Sequence, residues 1–478
     1  PRGAELWHPG ADMPDRRAKI VCTVGPAVAD SARVTELVQA GMDVARLNFS
    51  HGDPESHAKM AERLRRASAD TGRTVAILAD LCGPKIRTGT GGPASVEAGE
   101  TVTLFAGAES TPTELAVGYD HLAEDMAVGD HVLLGDGAIE LSVERIADGR
   151  VSCKVEHGGA LRARMGVNLP AARLRLGAIT DKDRSDLRHA LEMGVDYLAL
   201  SFVRSEDDVR ELRGLCEALG RPTPIVSKIE TPSAVERIEA IVAESDAVMV
   251  ARGDLGVELP PEVVPIVQRE IVGACRLLRK PAIIATEMLQ SMTDAPRPTR
   301  AEASDVASAI YGGADGVMLS AETATGKYPI RSCQMMDRII RRAEASRFYD
   351  PKASPPGGPT PEAIANSACR IAEEIGAELI VALTESGSTA RLVSKARPTV
   401  PIIALSPDAK TLRRLSLLWG VIPKNLDVDS DLERLIQSVR QLITAEKWIG
   451  SGQRFVLVCG APVGGRGSTN TVRVELMP

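Results

Sequence analysis

Short apolar runs alternate with amphipathic segments along the chain as far as residue 346. Eight of these runs are typical of buried strands, at residues 19–24, 43–49, 75–81, 197–202, 224–230, 247–254, 282–287 and 316–322. Buried strands that alternate with helices pair in parallel, and eight of them predict a closed (β/α)8 TIM barrel. Because the chemistry of such barrels lies where the strands end, the polar residues that close these runs are candidate site residues.

Two further domains are predicted around this barrel. Residues 90–177 interrupt the barrel pattern with short alternating runs and the turn Gly135-Asp136-Gly137, which predicts a small inserted β-barrel positioned as a lid. Residues 347–360 are rich in proline and glycine and predict a linker, and residues 361–478 predict an open C-terminal α/β domain. The barrel then comprises residues 18–89 and 178–346, and residues 1–17 are interpreted as an N-terminal extension outside the native fold. The fold class is α/β.

Charge and cysteine content narrow the range of partners. The 478 residues carry a formal net charge of -7 without a clustered basic stretch, which argues against nucleic acid as a partner. Charge or proline interrupts every long apolar stretch, which argues against a membrane span. The eight cysteines are scattered without a C-x-x-C pair, which is typical of a reducing cytoplasm. We therefore expect a cytoplasmic protein whose partners are small molecules and other subunits.

Three charged residues lie near the ends of two neighbouring predicted strands. Lys228 and Glu230 are two residues apart and share one face of a strand, and Asp254 ends the next run directly after the small Gly253. Two carboxylates suit Mg²⁺, which completes its shell with substrate phosphate oxygens and water. A nearby lysine would neutralise a phosphoryl group in transfer. The alternative is a structural ion pair between Lys228 and Glu230, but the third charge favours a site.

A second group of polar residues lies at the ends of the second and third runs and in the loops after them. Arg46, Asn48 and Ser50 recur at every second position and predict one polar face, on which the arginine would bind phosphate. His51 follows in the loop and is given a supporting role. Asp80 closes the third run. Residues 83–89 then carry Lys85 and Arg87 towards the junction with the lid, and a solvated basic loop is an equally good interpretation of them.

One loop of the C-terminal domain has the composition of a phosphate-binding helix start. Its hydroxyl-bearing and glycine positions are Thr384, Ser386, Gly387, Ser388 and Thr389. Hydroxyls and backbone N–H groups at a helix N-terminus bind anions, although the same residues also serve as simple helix caps. A second polar loop at residues 466–470 would complete such a pocket.

With these residues assembled, the chain resembles the pyruvate kinases of bacterial type from residue 19 to residue 474. The matching motifs lie at residues 23–26, 45–52, 83–89, 166–170, 227–230, 251–258, 285–292, 298–302 and 318–329. The resemblance implies a glycolytic phosphotransferase that moves the phosphoryl group of phosphoenolpyruvate to ADP, giving pyruvate and ATP. It also implies a homotetramer whose C-terminal regulatory domain binds a phosphorylated allosteric effector at the loop of residues 384–389.

The resemblance assigns roles to the strand-end residues. Glu230 and Asp254 would hold Mg²⁺, with Mn²⁺ as an alternative ion, and Lys228 would stabilise the transferring phosphoryl group. Gly253 and Thr286 would contact the pyruvate portion, with Thr286 near the carbon that takes up a proton. The positions implied to bind phosphoenolpyruvate are Arg46, Lys228, Gly253, Asp254 and Thr286. The positions implied to be catalytic are Lys228, Thr286, Arg46 and Arg87.

The remaining matched positions concern the nucleotide and a monovalent cation. The implied nucleotide positions are Asn48, Ser50, His51 and Arg87. The implied monovalent-cation positions are Asn48, Ser50, Asp80 and the Leu81 carbonyl. Lys85 stands where potassium-dependent members carry glutamate, so a fixed ammonium is expected to replace K⁺. Met165 stands where the family has a lysine that contacts nucleotide phosphate, which leaves nucleotide affinity and preference open.

Two alternatives to this function are weighed against the same residues. A Mg²⁺-dependent lyase or aldolase acting on pyruvate enolate would also use strand-end carboxylates, but the lid and Arg87 argue against it. A non-catalytic, effector-binding homologue is the second alternative, and Met165 is its best support. The presence of Lys228, Glu230, Asp254 and Thr286 opposes it, because a lost reaction leaves no reason to keep a costly cluster of strand-end charges.

Overall fold

The computed structural model describes residues 16–170, 174–355, 357–427, 431–461 and 469–478. Residues 1–15 of the predicted extension and residues 466–468 of the second polar loop lie outside this part. Arg16 already contacts the barrel: it is buried, and its guanidinium pairs with Asp43 and Asp337 at 2.8 Å each. None of the helices in the described ranges is long and apolar enough to cross a bilayer.

The first part of the barrel consists of three buried strands and two helices. They are β1 (Lys19–Thr23), α1 (Ser31–Gln39), β2 (Val44–Asn48), α2 (Pro54–Thr71) and β3 (Ala76–Asp80). Helix α2 begins at a capping box, in which the Asp53 side chain accepts from the Ser56 N–H, and it ends at Gly72, whose positive φ stops the helix. Local sequence thus fixes where these elements begin and end.

The inserted domain follows β3 and is built almost entirely from strands. Its elements are β4 (Ser95–Val96), β5 (Thr101–Ala106), β6 (Glu114–Val117), α3 (Leu122–Asp125), β7 (His131–Leu134), β8 (Ile139–Ala147), β9 (Arg150–His157), β10 (Gly159–Ala160) and β11 (Val167–Asn168). Six strands pair in the order β11-β7-β8-β9-β5-β6, and β10 pairs with β4. Residues 86–89 join the two sheet edges through backbone hydrogen bonds to residues 165–167 and 116–118. The inserted β-barrel closes on the chain segment that enters it.

The second part of the barrel supplies five more strands with their helices. The elements are α4 (Asp181–Glu192), β12 (Tyr197–Leu200), α5 (Glu206–Ala218), β13 (Ile225–Ile229), α6 (Pro232–Glu236), α7 (Ile238–Glu244), β14 (Ala247–Ala251), α8 (Arg252–Glu258), α9 (Val264–Leu277), β15 (Ala282–Ala285), α10 (Arg300–Tyr311), β16 (Gly316–Leu319), α11 (Ala321–Ala324) and α12 (Pro329–Glu344). The closed order is β1-β16-β15-β14-β13-β12-β3-β2, with every pair parallel. The predicted (β/α)8 barrel is confirmed.

Several strands end before the predicted runs do, and two of these runs continue into a helix. In the run at residues 316–322, β16 ends at Leu319 and α11 begins at Ala321. The run at residues 247–254 is not a strand throughout, because β14 ends at Ala251 and α8 begins at Arg252. Gly253 and Asp254 therefore lie in the first turn of a short helix, not on the strand. Arg252, Gly253 and Asp254 directly follow Ala251, so the apolar run ends where the backbone changes.

The C-terminal domain is an open α/β sheet, as predicted. Its elements are α13 (Thr360–Glu374), β17 (Leu379–Leu383), α14 (Ser388–Lys395), β18 (Ile402–Ser406), α15 (Ala409–Leu415), β19 (Val421–Asn425), α16 (Leu432–Ala445), β20 (Arg454–Gly460) and β21 (Thr469–Leu476). The order is β19-β18-β17-β20-β21, with only β21 antiparallel.

This domain packs against the amino ends of the barrel strands. The Tyr197 hydroxyl, at the start of β12, donates to the Arg414 carbonyl at 2.6 Å, and the Lys19 ammonium, at the start of β1, donates to the Val421 carbonyl at 2.8 Å. Asp315, just before β16, pairs with Lys395 at 2.6 Å. The carboxyl ends of the strands, on the opposite side, remain available to the lid.

Candidate active site

A continuous chain of buried charges lies at the carboxyl ends of β2, β3 and β13. Asp80 is its centre: one carboxylate oxygen accepts from the Arg46 Nε at 2.6 Å, and the other lies 3.4 Å from the Lys228 Nζ. Burial alone would raise the pKa of Asp80, but Lys228 and Arg46 outweigh it and lower that pKa. Of the candidate strand-end residues, Arg46, Asp80 and Lys228 are thus in direct contact.

The Lys228 ammonium lies close to three side-chain oxygen atoms, one each from Asp80, Glu230 and Ser201. Its ammonium lies 2.9 Å from Glu230 Oε1 and donates to the Ser201 hydroxyl at 2.7 Å. Burial works to lower the pKa of Lys228, but the Asp80 and Glu230 carboxylates raise it above its usual value. Ser201 in turn donates to the Leu81 carbonyl at 2.7 Å. The lysine is therefore a fixed positive charge in a site with little water.

Glu230 has the properties of a metal ligand. Its Oε2 accepts from the Phe202 N–H at 2.7 Å, but its Oε1 is buried without an aligned hydrogen bond, although Lys228 is close. Burial raises the pKa of Glu230, and the nearby Asp254 carboxylate raises it further. A divalent cation would offset the repulsion between the Glu230 and Asp254 carboxylates and would give the unsatisfied Oε1 a partner.

The protein offers Mg²⁺ two carboxylates rather than a complete cage. Within the described ranges no group of three His, Cys, Asp or Glu side chains is arranged to hold a metal ion. Mg²⁺ commonly binds through one or two carboxylates, with phosphate oxygens and waters filling the other positions. Glu230 and Asp254 fit that mode, in which the substrate completes the shell.

Thr286 sits in a strained backbone directly after β15. Its φ of 71° and the φ of 56° at Glu287 are both left-handed, a conformation that a β-branched residue rarely adopts. The Thr286 hydroxyl accepts from the Gly253 N–H at 2.6 Å and donates to the Ala285 carbonyl at 2.6 Å. Arg252 donates to the Thr286 carbonyl at 2.7 Å. These contacts maintain the strain and bring Gly253 and Thr286 together.

The predicted monovalent-cation positions form a looser group. Asn48 lies opposite Asp80 in the β2–β3 register, and its side-chain oxygen accepts from the Ser50 N–H at 3.1 Å. The Leu81 carbonyl accepts from Ser201. His51 is exposed; its carbonyl accepts from the His57 Nε2 at 2.9 Å, and its N–H donates to the Asn48 carbonyl at 3.2 Å. The structure gives His51 no contact with the buried charges.

A cavity of about 260 Å³ opens between the lid and the barrel. Its lining includes Lys85, Asp136, Asn168, Asp254 and Glu258. Lys85 is exposed and lies within this cleft. The hinge approaches the barrel closely: a Cβ on Gly83, which has a φ of 69°, would come within 3.0 Å of the Phe202 ring.

Arg87 lies at the same hinge and is exposed. Its guanidinium donates to the Arg164 carbonyl in the lid at 3.1 Å. The prediction that residues 83–89 bring Lys85 and Arg87 to the junction of lid and barrel therefore agrees with their positions, whereas their contacts with a ligand stay a prediction.

Comparison with known proteins identifies the family. Residues 15–333 match the family model described as pyruvate kinase, barrel domain, and residues 362–475 match pyruvate kinase, alpha/beta domain. The chain belongs to the pyruvate kinase family. A pyruvate kinase of Agrobacterium vitis is 44% identical over 469 residues, covering 96% of each chain, and one of Mycobacterium tuberculosis is 43% identical, covering 96% of this chain and 98% of that one. The crystal structure of a pyruvate kinase from Cryptosporidium parvum superimposes with a TM-score of 0.91 at 36% identity, covering 97% of each chain. The resemblance stated from the motifs is confirmed.

Met165, where pyruvate kinases have a lysine, is turned into the lid. Its side chain packs against the apolar core of the lid, and a Cβ on Gly135 would come within 2.4 Å of its methyl group. The next residue, Gly166, faces the cleft beside Lys85 and Asp136. At this edge of the cleft the positive charge comes from Lys85.

The C-terminal loop has the expected helix start, with part of its polar capacity already used. Gly387 has a φ of 87° and precedes α14, and its N–H donates to the Thr384 hydroxyl at 2.9 Å. The Thr389 and Thr469 hydroxyls are 2.7 Å apart. Within the described part of the chain, the Ser386 and Ser388 side chains make no hydrogen bond. These two hydroxyls and the N–H groups of the first turn are available to a phosphate.

Two residues that position the site were not assigned by the sequence reasoning. Ser201 lies near the end of the predicted run at residues 197–202, and its hydroxyl orients Lys228. Arg252 was passed over, yet it binds the Ala285 and Thr286 carbonyls and Asp305. The position of Arg252 directly before Gly253 and Asp254 was the available signal.

Proposed function

We propose that this member of the pyruvate kinase family catalyses Mg²⁺-dependent transfer of the phosphoryl group of phosphoenolpyruvate to ADP, giving pyruvate and ATP. The observation that carries the proposal is the buried chain of Asp80, Lys228 and Glu230, with an unsatisfied Glu230 oxygen beside Asp254. A phosphotransferase needs a fixed positive charge and a metal site next to each other, because the transferring group gains little from covalent chemistry with the protein.

Each group has a role that follows from its environment. Glu230 and Asp254 would hold Mg²⁺, which when bound supplies positive charge to the phosphoryl donor; Mn²⁺ could substitute. Lys228 stays protonated between two carboxylates and would stabilise the phosphoryl oxygens during transfer. Arg46, oriented by Asp80 and by the Thr23 hydroxyl at 2.9 Å, would bind phosphate oxygens.

The second half of the reaction needs a proton at the methylene carbon of the enolate. We infer that the Thr286 hydroxyl lies near this carbon, because the Gly253 N–H and the Ala285 carbonyl fix its position. The Gly253 and Thr286 backbones would contact the carboxylate end of the substrate. Arg87, Asn48, Ser50 and His51 would bind the nucleotide from the hinge and the β2 loop.

Regulation, assembly and location complete the proposal. A phosphorylated effector would bind at Ser386, Ser388 and the N-terminus of α14, with Thr384, Gly387 and Thr389 shaping the loop. We infer a homotetramer by analogy with the family. A cytoplasmic location agrees with the eight cysteines, all of which are free thiols. Lys85 would take the place of K⁺.

Pyruvate formation from phosphoenolpyruvate and ADP with Mg²⁺, followed through reduction by lactate dehydrogenase, tests this function. Activity that disappears in Lys228→Met and on removal of Mg²⁺ would support phosphoryl transfer. No activity with ADP, GDP and a panel of sugar phosphates would favour the non-catalytic alternative. Carbon–carbon bond formation or cleavage without a nucleotide would favour the lyase.

A further inference from the structure

Among the described residues, one side-chain hydrogen bond joins a strand of the lid to a helix of the barrel. Asn168, the last residue of β11, donates from its Nδ2 to Glu258 Oε1 at 2.7 Å. Glu258 is the last residue of α8, the helix that carries Gly253 and Asp254 in its first turn. Both side chains line the cleft of about 260 Å³. The bond therefore spans the cleft next to the proposed metal site.

Each end of this bond is firmly attached to its own domain. Asn168 pairs with Leu133 in the lid sheet, which fixes the direction of its side chain. Helix α8 is attached at its start, where Arg252 binds the Thr286 carbonyl and Asp305 and the Gly253 N–H binds Thr286. A displacement of the lid relative to the barrel must therefore break or stretch the bond.

The carboxylate at this position does not stabilise its own helix. An acidic residue at the carboxyl end of a helix opposes the helix dipole. Burial also raises the pKa of Glu258, while the Asn168 amide acts in the opposite direction. Glu258 is thus unfavourable for its own helix and largely desolvated. Its hydrogen bond to Asn168 across the cleft accounts for a carboxylate at this position.

We propose that the Asn168–Glu258 hydrogen bond is a latch that positions the lid over the cleft. This proposal rests on the proposed function in one respect, which is that the cleft under the lid receives the nucleotide. Asn168 and Glu258 are positioning residues in this account. They set the population of closed lid to which the nucleotide binds, and they take no part in bond making or breaking.

Steady-state kinetics with four variants test the latch. Glu258→Ala should raise the KM for ADP about tenfold and change kcat less than about threefold, because a charge-assisted bond is lost before chemistry begins. Asn168→Ala should have the same effect. The KM for ADP of the double variant should be no higher than that of either single variant, because each single substitution already removes the same bond. Glu258→Gln keeps an oxygen acceptor and should restore most of the affinity.

Glu262→Ala is the matched control. Glu262 lies four residues after the end of α8 and is exposed, and its side chain makes no hydrogen bond within the described ranges. The Glu262→Ala substitution removes the same charge without a contact to the lid, so the KM of this variant for ADP should equal that of the wild type. Additive effects in the double variant, an equal loss in Glu262→Ala, or a Glu258→Gln variant as weak as Glu258→Ala would each overturn the latch.

Hydrogen exchange of the free protein separates this proposal from the proposed function. Without nucleotide, amides of residues 166–170 and 254–259 should exchange faster in Glu258→Ala than in the wild type and in Glu262→Ala. Unchanged exchange would overturn the latch even in an active enzyme. Faster exchange in a protein without kinase activity would support the latch and overturn the proposed function.

Discussion

Replacing Ser201 with alanine isolates the support of the proposed phosphoryl-binding lysine. Ser201 is buried, accepts from the Lys228 Nζ at 2.7 Å and donates to the Leu81 carbonyl at 2.7 Å. A hydrogen bond to a charged group contributes about 1.5–3 kcal/mol, and about 1.4 kcal/mol changes a rate tenfold. If the loss falls on the transition state, kcat should decrease by about 10- to 100-fold.

The assay is pyruvate formation at saturating phosphoenolpyruvate, ADP and Mg²⁺, together with urea unfolding. Ser227→Ala is the control, because Ser227 is also buried and bonds away from the site, to the Ser245 hydroxyl at 2.6 Å. Both variants should lose about 1–2 kcal/mol of unfolding free energy, whereas only Ser201→Ala should lose kcat. Ser201→Thr should keep much of the activity, since it retains the hydroxyl.

Two results would refute this reasoning. Ser201→Ala could lose stability as expected and yet keep kcat within about twofold of the wild type, which would mean that Lys228 needs no third partner. Alternatively, Ser227→Ala could lose as much kcat as Ser201→Ala. The loss would then follow from a weakened barrel and not from the position of the lysine.

Four further predictions concern other parts of the chain. Activity should change little on removing K⁺, and Lys85→Glu should make it K⁺-dependent; full activity of that variant without K⁺ would contradict the role of the ammonium. Met165→Lys should lower the KM for ADP by about threefold to tenfold by returning a cation to the lid, and an unchanged KM would show that Lys85 already supplies it. Asp315→Asn should cost about 3–5 kcal/mol in urea unfolding, because Lys395 and its neighbour Arg397 keep their buried charges, and a loss below about 1 kcal/mol would contradict this. Burial lowers the pKa of Lys19 to about 8 from 10.5, so the unfolded chain binds more protons between these values. The stability of the wild type relative to Lys19→Met should therefore rise as the pH increases from 8 to 10.5, and a flat difference would count against the buried amine.

The barrel could be predicted because its strands are buried on both faces. Every residue of β1 and of β13 is buried, including Lys228, so each strand gives a short apolar run that only strand-end charges interrupt. The two-residue spacing then predicted correctly that Lys228 and Glu230 face the same side, because Ile229 packs into the apolar layer beneath the helices.

Contacts between elements could not be predicted in the same way. The pairs Ser201–Lys228 and Gly253–Thr286 depend on the register of neighbouring strands and on how the chain leaves them. Positive φ at Thr286 and Glu287 has no local sequence signal, since neither residue is glycine or asparagine. The structure stabilises that backbone through Arg252, whose role appears only once β14 and β15 lie side by side.

Placing Asp254 on a helix rather than a strand changes how the site works. A strand would have fixed Asp254 independently of its neighbours, whereas α8 attaches it to three other groups at once. Its first turn binds Thr286 through Gly253, its Asp254 carboxylate is close enough to Glu230 to raise the pKa of that residue, and its last residue reaches Asn168 in the lid. The seven residues of α8 thus connect the proposed pyruvate-binding end, the proposed metal site and the lid. Because a helix this short moves as one unit, closing the lid must act on the carboxylate and on Thr286 together.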